Sequence, residues 1–147
     1  MAEHNIIGQK GEQIAVETMR KKGFRVVDTN WKFGHLEMDV IAVNRKEIAF
    51  VEVKTRTSSF GDKRPEEFVD ELKRRRMAAA ANAYIKIHQI ELVPRFDIIG
   101  ISMDPNTYEV KELTHLEDAF LPPQRTIGKR SFSGQDRWKH RGRVIGK

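Results

Sequence analysis

Three residues in the first half of the chain carry more chemistry than a buried strand needs. Glu52 and Lys54 stand two apart in "FVEVKTR" (50–56), and Asp39 stands in "LEMDVIAV" (36–43). Both stretches are otherwise apolar and β-branched, the composition of interior strands. Residues two apart on a strand share a face, so Glu52 and Lys54 should lie side by side. The "NRK" between the two stretches reads as a short hairpin turn. With Arg45 and Lys46 as a two-residue loop, the facing pairs become Val43–Ile48, Ile41–Phe50, Asp39–Glu52 and Glu37–Lys54. One face then holds four apolar residues at the turn end and the four charged ones at the far end. The other holds Ala42, Ala49, Val40, Val51, Met38, Val53 and Leu36. A slip of one residue would put Asp39 and Glu52 on opposite faces and mix the apolar set.

Carboxylates directly opposed across two strands repel. In a partly desolvated place one must stay protonated, or a cation must sit between them. Two hard carboxylates with a nearby backbone carbonyl suit Mg²⁺, or Mn²⁺ as its substitute, ions that retain water and open positions. Lys54 would point at the same pocket, where it could stabilise negative charge or orient an attacking hydroxide. The plainer alternative is two ordinary ion pairs, Glu52–Lys54 and Glu37–Lys54, on a solvated face. The apolar setting of β-branched neighbours, and the independent arrival of Asp39 opposite Glu52, favour the cation site.

The elements that must hold these residues follow from periodicity. "GQKGEQIAVETMRKK" (8–22) predicts a helix with Ile14, Ala15, Thr18 and Met19 on one stripe and Gly23 ending it. Glu12 falls near its start, where a carboxylate also favours the positive helix end. Strands are expected over 24–31, 36–43 and 47–54, and a loop over 57–65. A long helix is expected over 66–88, with Leu72, Met77, Ala80, Ala81, Tyr84 and Ile85 for packing. Two strands, 90–93 and 95–102, flank Pro94, and a last one covers 108–114. The order α-β-β-β-α-β-β predicts an α/β domain with a central mixed sheet flanked by helices.

Cations cluster on the long helix at Lys73, Arg74, Arg75 and Arg76, and Arg56 follows the Glu-x-Lys strand. These are phosphate-contact candidates, with Lys63 and Arg64 weaker ones, although such a run also serves as a solvated face. Arg95 and Asp97 are spaced for a same-face structural ion pair. The five His show no ligand spacing.

The 147 residues suit one domain, taken as 1–120, with a tail over 121–147. The net charge of +6 is uneven. Residues 1–120 hold 19 Lys and Arg against 20 Asp and Glu, whereas residues 121–147 hold 8 against the single Asp136. The basicity therefore belongs to the tail, whose Pro, Gly and Ser content and lack of periodicity predict a flexible basic segment. Its Arg137, Trp138, Lys139, Arg141 and Arg143 would suit loose, salt-sensitive nucleic-acid contact. There is no Cys, no apolar run of membrane-spanning length and no signal-like start, so a cytoplasmic protein without a membrane partner is expected.

An acid on one strand, a hairpin, Glu-x-Lys on the next and a preceding helix bearing Glu together resemble the PD-(D/E)XK nuclease superfamily. More closely, the chain resembles the YraN family, small bacterial proteins similar to archaeal Holliday-junction resolvases. The matching stretches are "GQKGEQIAVETMRKKGFRVVDTNWK", "EMDVIAV", "FVEVKTR", "LKRRRMAAAANAYI", "RFDIIGI" and "HLEDAF", in order from Gly8 to Phe120. The resemblance implies a restriction-endonuclease-like core and Mg²⁺-dependent phosphodiester hydrolysis in DNA. It places Asp39, Glu52 and Lys54 in the active site, with Glu12 as fourth member, and Asp39 and Glu52 on the metal. Branched or duplex DNA is the implied partner, and a homodimer is implied where the substrate is a four-way junction. One departure is Leu36, which stands where the family usually has Gly. A non-catalytic DNA-binding or adaptor module on the same fold is the competing expectation, and RNA is a substrate the same residues would serve.

Overall fold

The computed structural model describes residues 2–63, 67 and 69–120, with side chains from Asn5 onward. The basic tail and Arg64 lie outside the described residues, so the expectations attached to them are not addressed by the structure. The elements run α1 (Ala2–Lys21), β1 (Arg25–Phe33), β2 (Leu36–Val43), β3 (Glu47–Arg56), α2 (Glu71–His88), β4 (Val93–Met103) and β5 (Val110–Phe120). This is the expected order. The five strands form one mixed sheet in the order β1-β2-β3-β4-β5. The β3–β4 pair is parallel, bridged by α2, and the other pairs are antiparallel.

Alternation on the central strands explains the layering. Ile41, Ile48, Phe50, Phe96 and Ile98 pack against Met77, Ala80, Ala81, Tyr84 and Ile85 of α2. Val40, Ala42, Ala49, Val51, Ile99, Ile101 and Met103 pack against Ala15 and Met19 of α1 and against Phe24. Because a helix covers each face, β3 and β4 read as near-continuous apolar runs, as buried strands do. The result is an α/β sandwich compatible with a restriction-endonuclease-like core.

Several boundaries differ from expectation, each for a local reason. α1 begins at Ala2, six residues before the glycines that suggested a start. Gly11 lies inside the helix because α1 sits close to β3: a Cβ there would run into the Thr55 methyl. α2 begins at Glu71, not 66. Asp70 caps it, its carboxylate accepting from Lys73 N at 2.8 Å. Its expected packing residues are buried except Leu72, which is 54% exposed.

The region around Pro94 is one strand rather than two. Val93 N donates to Lys46 O at 2.9 Å, on the β3 side. The next N–H position faces β5, whose ladder starts only at Phe96, so proline there breaks no bond. β5 continues six residues beyond the expected 114, through a bulge that leaves Asp118 at φ 53.

The hairpin register holds for Val43–Ile48, Ala42–Ala49, Ile41–Phe50 and Val40–Val51. Asn44 Oδ1 fixes the turn, accepting from Lys46 N at 2.9 Å and Glu47 N at 2.7 Å. Beyond Val40 the β2–β3 ladder stops, while β1–β2 pairing continues through Trp31–Met38 to Phe33–Leu36. Here β2 leaves β3, and Met38 and Leu36 join the α2-side cluster instead of the expected α1 face. Asp39 stands at this split.

Candidate functional site

Where β2 and β3 part, backbone groups of β3 lose their ladder partners on that side. The Asp39 carboxylate takes one of them, accepting from Val53 N at 2.8 Å. Asp39 and Glu52 therefore still meet across the strands, but through side chains in a cleft rather than as a ladder pair. Burial, and then the Glu52 charge, push the Asp39 carboxyl up to about 7, against the pull of the Val53 N–H. The charge of Glu12 adds to the rise, and that of Lys73 opposes it. Burial likewise raises the Glu52 carboxyl, while Lys73 and, more weakly, Lys54 hold it back. The two carboxyls thus share a place with room for less than two negative charges.

Glu52 is held on the other side by α2. Lys73 Nζ lies 3.4 Å from Glu52 Oε2, and the carboxylate side chain is only 12% exposed. The Glu52–Lys54 and Glu37–Lys54 ion pairs of the plainer alternative are not formed among the described residues. Lys54 is half-buried and acts on Glu52 through its charge, with no hydrogen bond or ion pair among the described residues. Glu37 is exposed.

Glu12 reaches the site from α1. Since the helix starts at Ala2, Glu12 lies in its middle, and the helix-end explanation no longer accounts for it. Gly11 lets α1 approach Thr55, next to Lys54, which brings the Glu12 turn toward the strand bearing the acids. Asn30 Nδ2 donates to Glu12 Oε1 at 2.7 Å. Asn30 has φ 51, a left-handed backbone that Asn tolerates better than most residues. The sequence reading missed Asn30, because nothing local marks an asparagine in a strand as the partner of a helix residue eighteen positions earlier.

The basic candidates separate. Lys73 belongs to the cleft. Arg74 Nε donates to Val69 O at 3.1 Å, and its guanidinium lies over the Phe120 ring at 5.3 Å. Arg75 pairs with Glu71 at 3.0 Å, one helical turn away. Arg56 lies over Phe60 at 5.2 Å. Arg76 is exposed. Arg74 and Arg75 are thus engaged in holding the start of α2.

No three His, Cys, Asp or Glu side chains gather as a metal-binding group among the described residues. A cation here would rest on Asp39 and Glu52, with backbone oxygen and water completing its shell, the habit of Mg²⁺. The donor set fits such an ion: two half-buried carboxylates whose mutual repulsion a dication would relieve.

A second charged cluster lies elsewhere, on β4 and β5. Arg95 Nη2 binds Asp97 Oδ2 at 2.9 Å, the ion pair expected from their spacing. Unforeseen were His115 Nε2 on the same oxygen at 2.7 Å and Asp118 N on Oδ1 at 3.0 Å. Glu47 and Glu117 flank Arg95 at 3.1 and 3.5 Å. Lys22 closes the network on His115 Nδ1 at 2.7 Å. Burial would raise the Asp97 carboxyl, but its bonds to His115 and Asp118 and the Arg95 charge hold it below the usual carboxylate range. No described helix is long and apolar enough to cross a membrane.

Known proteins agree with this architecture in extent. A "UPF0102 protein" of Bacteroides thetaiotaomicron is 40% identical over 123 residues, covering 84% of this chain and 98% of its own. Another from Parabacteroides distasonis is 42% identical over 125 residues, 85% of this chain and all of its own. One from Porphyromonas gingivalis is 39% identical over 120 residues, 82% and 87% respectively. The model of the uncharacterised protein family UPF0102 matches residues 11–101, from the glycine that seats α1 to near the end of β4. The chain belongs to the UPF0102 family, the YraN family its motifs resemble.

Proposed function

We propose that this protein is a divalent-cation-dependent nuclease that hydrolyses phosphodiester bonds in DNA, with branched or junction DNA as its preferred substrate. The observation that carries the reading is the pair of half-buried carboxyls, Asp39 and Glu52, brought together where β2 leaves β3 and both raised by desolvation. A fold does not keep two mutually repelling acids in one cleft for stability.

Asp39 and Glu52 would hold Mg²⁺ or Mn²⁺. When bound, such an ion supplies Lewis-acid stabilisation of the phosphoryl oxygens and an activated nucleophile at neutral pH. The Val53 N–H fixes one oxygen of Asp39. Glu12, which accepts a hydrogen bond from Asn30, would take a proton from the attacking water. Lys54 carries positive charge toward the oxygens on which negative charge builds up. Lys73, Arg76 and Arg56 are the cations placed to hold the backbone, without reading sequence. The resemblance to junction resolvases supports the substrate class and a dimeric assembly, and the absence of a Cys fits a cytoplasmic location.

The test is cleavage of labelled duplex, single-stranded, flapped and four-way-junction DNA with Mg²⁺, Mn²⁺ or EDTA, wild type beside Glu52→Ala. Cleavage should require the cation and fall at least a thousandfold in the mutant, roughly the loss of the metal's share of catalysis. Unchanged DNA binding with no cleavage of any substrate would reject the enzyme in favour of an adaptor, and an RNA arm decides the nucleic acid.

A further inference from the structure

Lys73 stands where nothing in the Asp-Glu-x-Lys pattern requires a lysine. It comes from the first turn of α2, and it makes the one ion pair of Glu52 among the described residues, at 3.4 Å. Lys54, the lysine the pattern does require, makes no such contact. The two ammonium groups thus play different parts. Lys54 extends from a strand paired with β4 along its whole length. Lys73 hangs from the first turn of α2, its backbone pinned by the Asp70 cap and its side chain 44% exposed.

We propose that Lys73 is the resident counter-ion of Glu52, that it yields this place when a divalent cation binds, and that its released ammonium then engages a phosphate of the substrate. The inference rests on the nuclease reading and deepens it. The physical argument is exclusion. A cation ligated by Glu52 needs an oxygen at about 2.1 Å, and an ammonium near hydrogen-bond distance of the same carboxylate occupies that approach. A single positive charge at the mouth of the cleft also repels a dication. Lysine suits the exchange because its charge rides on a flexible four-carbon stem, free to swing from carboxylate to phosphate while its backbone stays fixed. Half-exposure gives it the path outward, whereas the nearly buried Glu52 stays behind. Metal and DNA would then cooperate: each makes room for, or supplies charge to, the other.

The experiment reads Mn²⁺ affinity by the loss of the free-ion electron paramagnetic resonance signal, in wild type, Lys73→Gln, Lys73→Arg and Glu52→Ala, without DNA. Lys73→Gln should bind Mn²⁺ three- to tenfold more tightly than wild type, and Lys73→Arg should stay near wild type. A merely structural lysine predicts equal or weaker binding in Lys73→Gln, and that result overturns the proposal. In parallel, binding of uncleaved junction DNA in Ca²⁺ should weaken in Lys73→Gln, and its salt dependence should drop by about one phosphate contact. Tighter Mn²⁺ with unchanged DNA binding overturns the hand-over to phosphate. Wild type and Lys73→Gln both failing to bind Mn²⁺ more tightly than Glu52→Ala overturns the nuclease reading itself along with the proposal. Far-UV circular dichroism of each variant establishes that it is folded.

Discussion

Asp39 and Asp97 are aspartates on strands of one sheet, both shielded from water, and their surroundings drive them in opposite directions. Asp97 is fully buried, yet each oxygen is claimed: Arg95 and His115 on one, the Asp118 N–H on the other. Its charge is wanted, and its carboxyl is held low. Asp39 has one backbone N–H and faces a second acid, so its charge is unwanted and its carboxyl rises to about 7. The difference lies in what the strands do nearby. At Asp97 the β5 bulge folds back, and the carboxylate fills the gap in the ladder. At Asp39 the β2–β3 ladder opens, and the gap is left for something else to fill. The Asp97 cluster is closed by its own charges, whereas Asp39 and Glu52 leave two carboxyls facing each other, the place at which we propose a cation.

Removing each carboxylate should break the comparison most plainly. Asp97→Ala leaves the Arg95 guanidinium buried with only the flanking Glu47 and Glu117, and loses the bonds from His115 and Asp118. Breaking a buried pair from one side costs about 3–5 kcal/mol. Urea unfolding at pH 7 should show a loss of that size, with β5 the first segment to gain hydrogen exchange. A loss below about 1 kcal/mol would mean that the network is held by Glu47 and Glu117 and not by Asp97.

Asp39→Asn should do the reverse. With EDTA present, the mutant should be more stable than wild type at pH 8 by on the order of 2 kcal/mol, and equal to it at pH 4. A carboxyl raised in the folded state binds its proton more tightly there than when unfolded. Wild type therefore loses stability as pH climbs from about 4 through about 7, while a neutral amide is indifferent. Asp97 has the opposite sign: its contribution is complete above the unfolded carboxylate range and disappears as pH falls through its lowered folded value. Saturating Mn²⁺ should abolish the advantage of Asp39→Asn by stabilising wild type alone. A mutant less stable than wild type at pH 8 would place Asp39 with Asp97 as a satisfied structural charge.

The two regions were not equally legible. Period-two alternation revealed Asp39 opposite Glu52, because two strands of apolar residues leave few ways to accommodate four charges. The same alternation pointed to the Arg95–Asp97 pair. It could not show that β2 departs at Asp39, since splitting depends on where β1 and α2 draw the strand, and so Met38 and Leu36 were assigned to the wrong face. The last strand was expected to end at 114, yet Glu117 and Asp118 belong to it, where they meet Arg95 and Asp97. The helix was expected to start at Gly8 and starts at Ala2, and nothing in the sequence shows that Gly11 marks close packing on Thr55. Lys73 and Asn30 arrive from separate elements, and no local spacing announces a contact made only by the tertiary fold.

Asn30 offers the finest division between the two regions, because its contact with Glu12 lies apart from the Asp97 cluster. Asn30→Gly keeps the left-handed backbone without strain and removes only the amide that holds Glu12. As an exposed site its stability effect should stay within about 0.5 kcal/mol. If the hydrogen bond serves to aim Glu12 at the attacking water, the cleavage rate at saturating DNA should nevertheless fall by about tenfold or more, with KM unchanged, since a misplaced proton acceptor slows the chemical step and leaves binding intact. A mutant that cleaves normally would detach Glu12 from the reaction and leave Asp39, Glu52 and Lys54 as the catalytic set. A fall in stability with normal cleavage would make the Asn30–Glu12 bond another fastening of α1 to β1, of the same kind as the charges that hold β4 to β5 around Asp97.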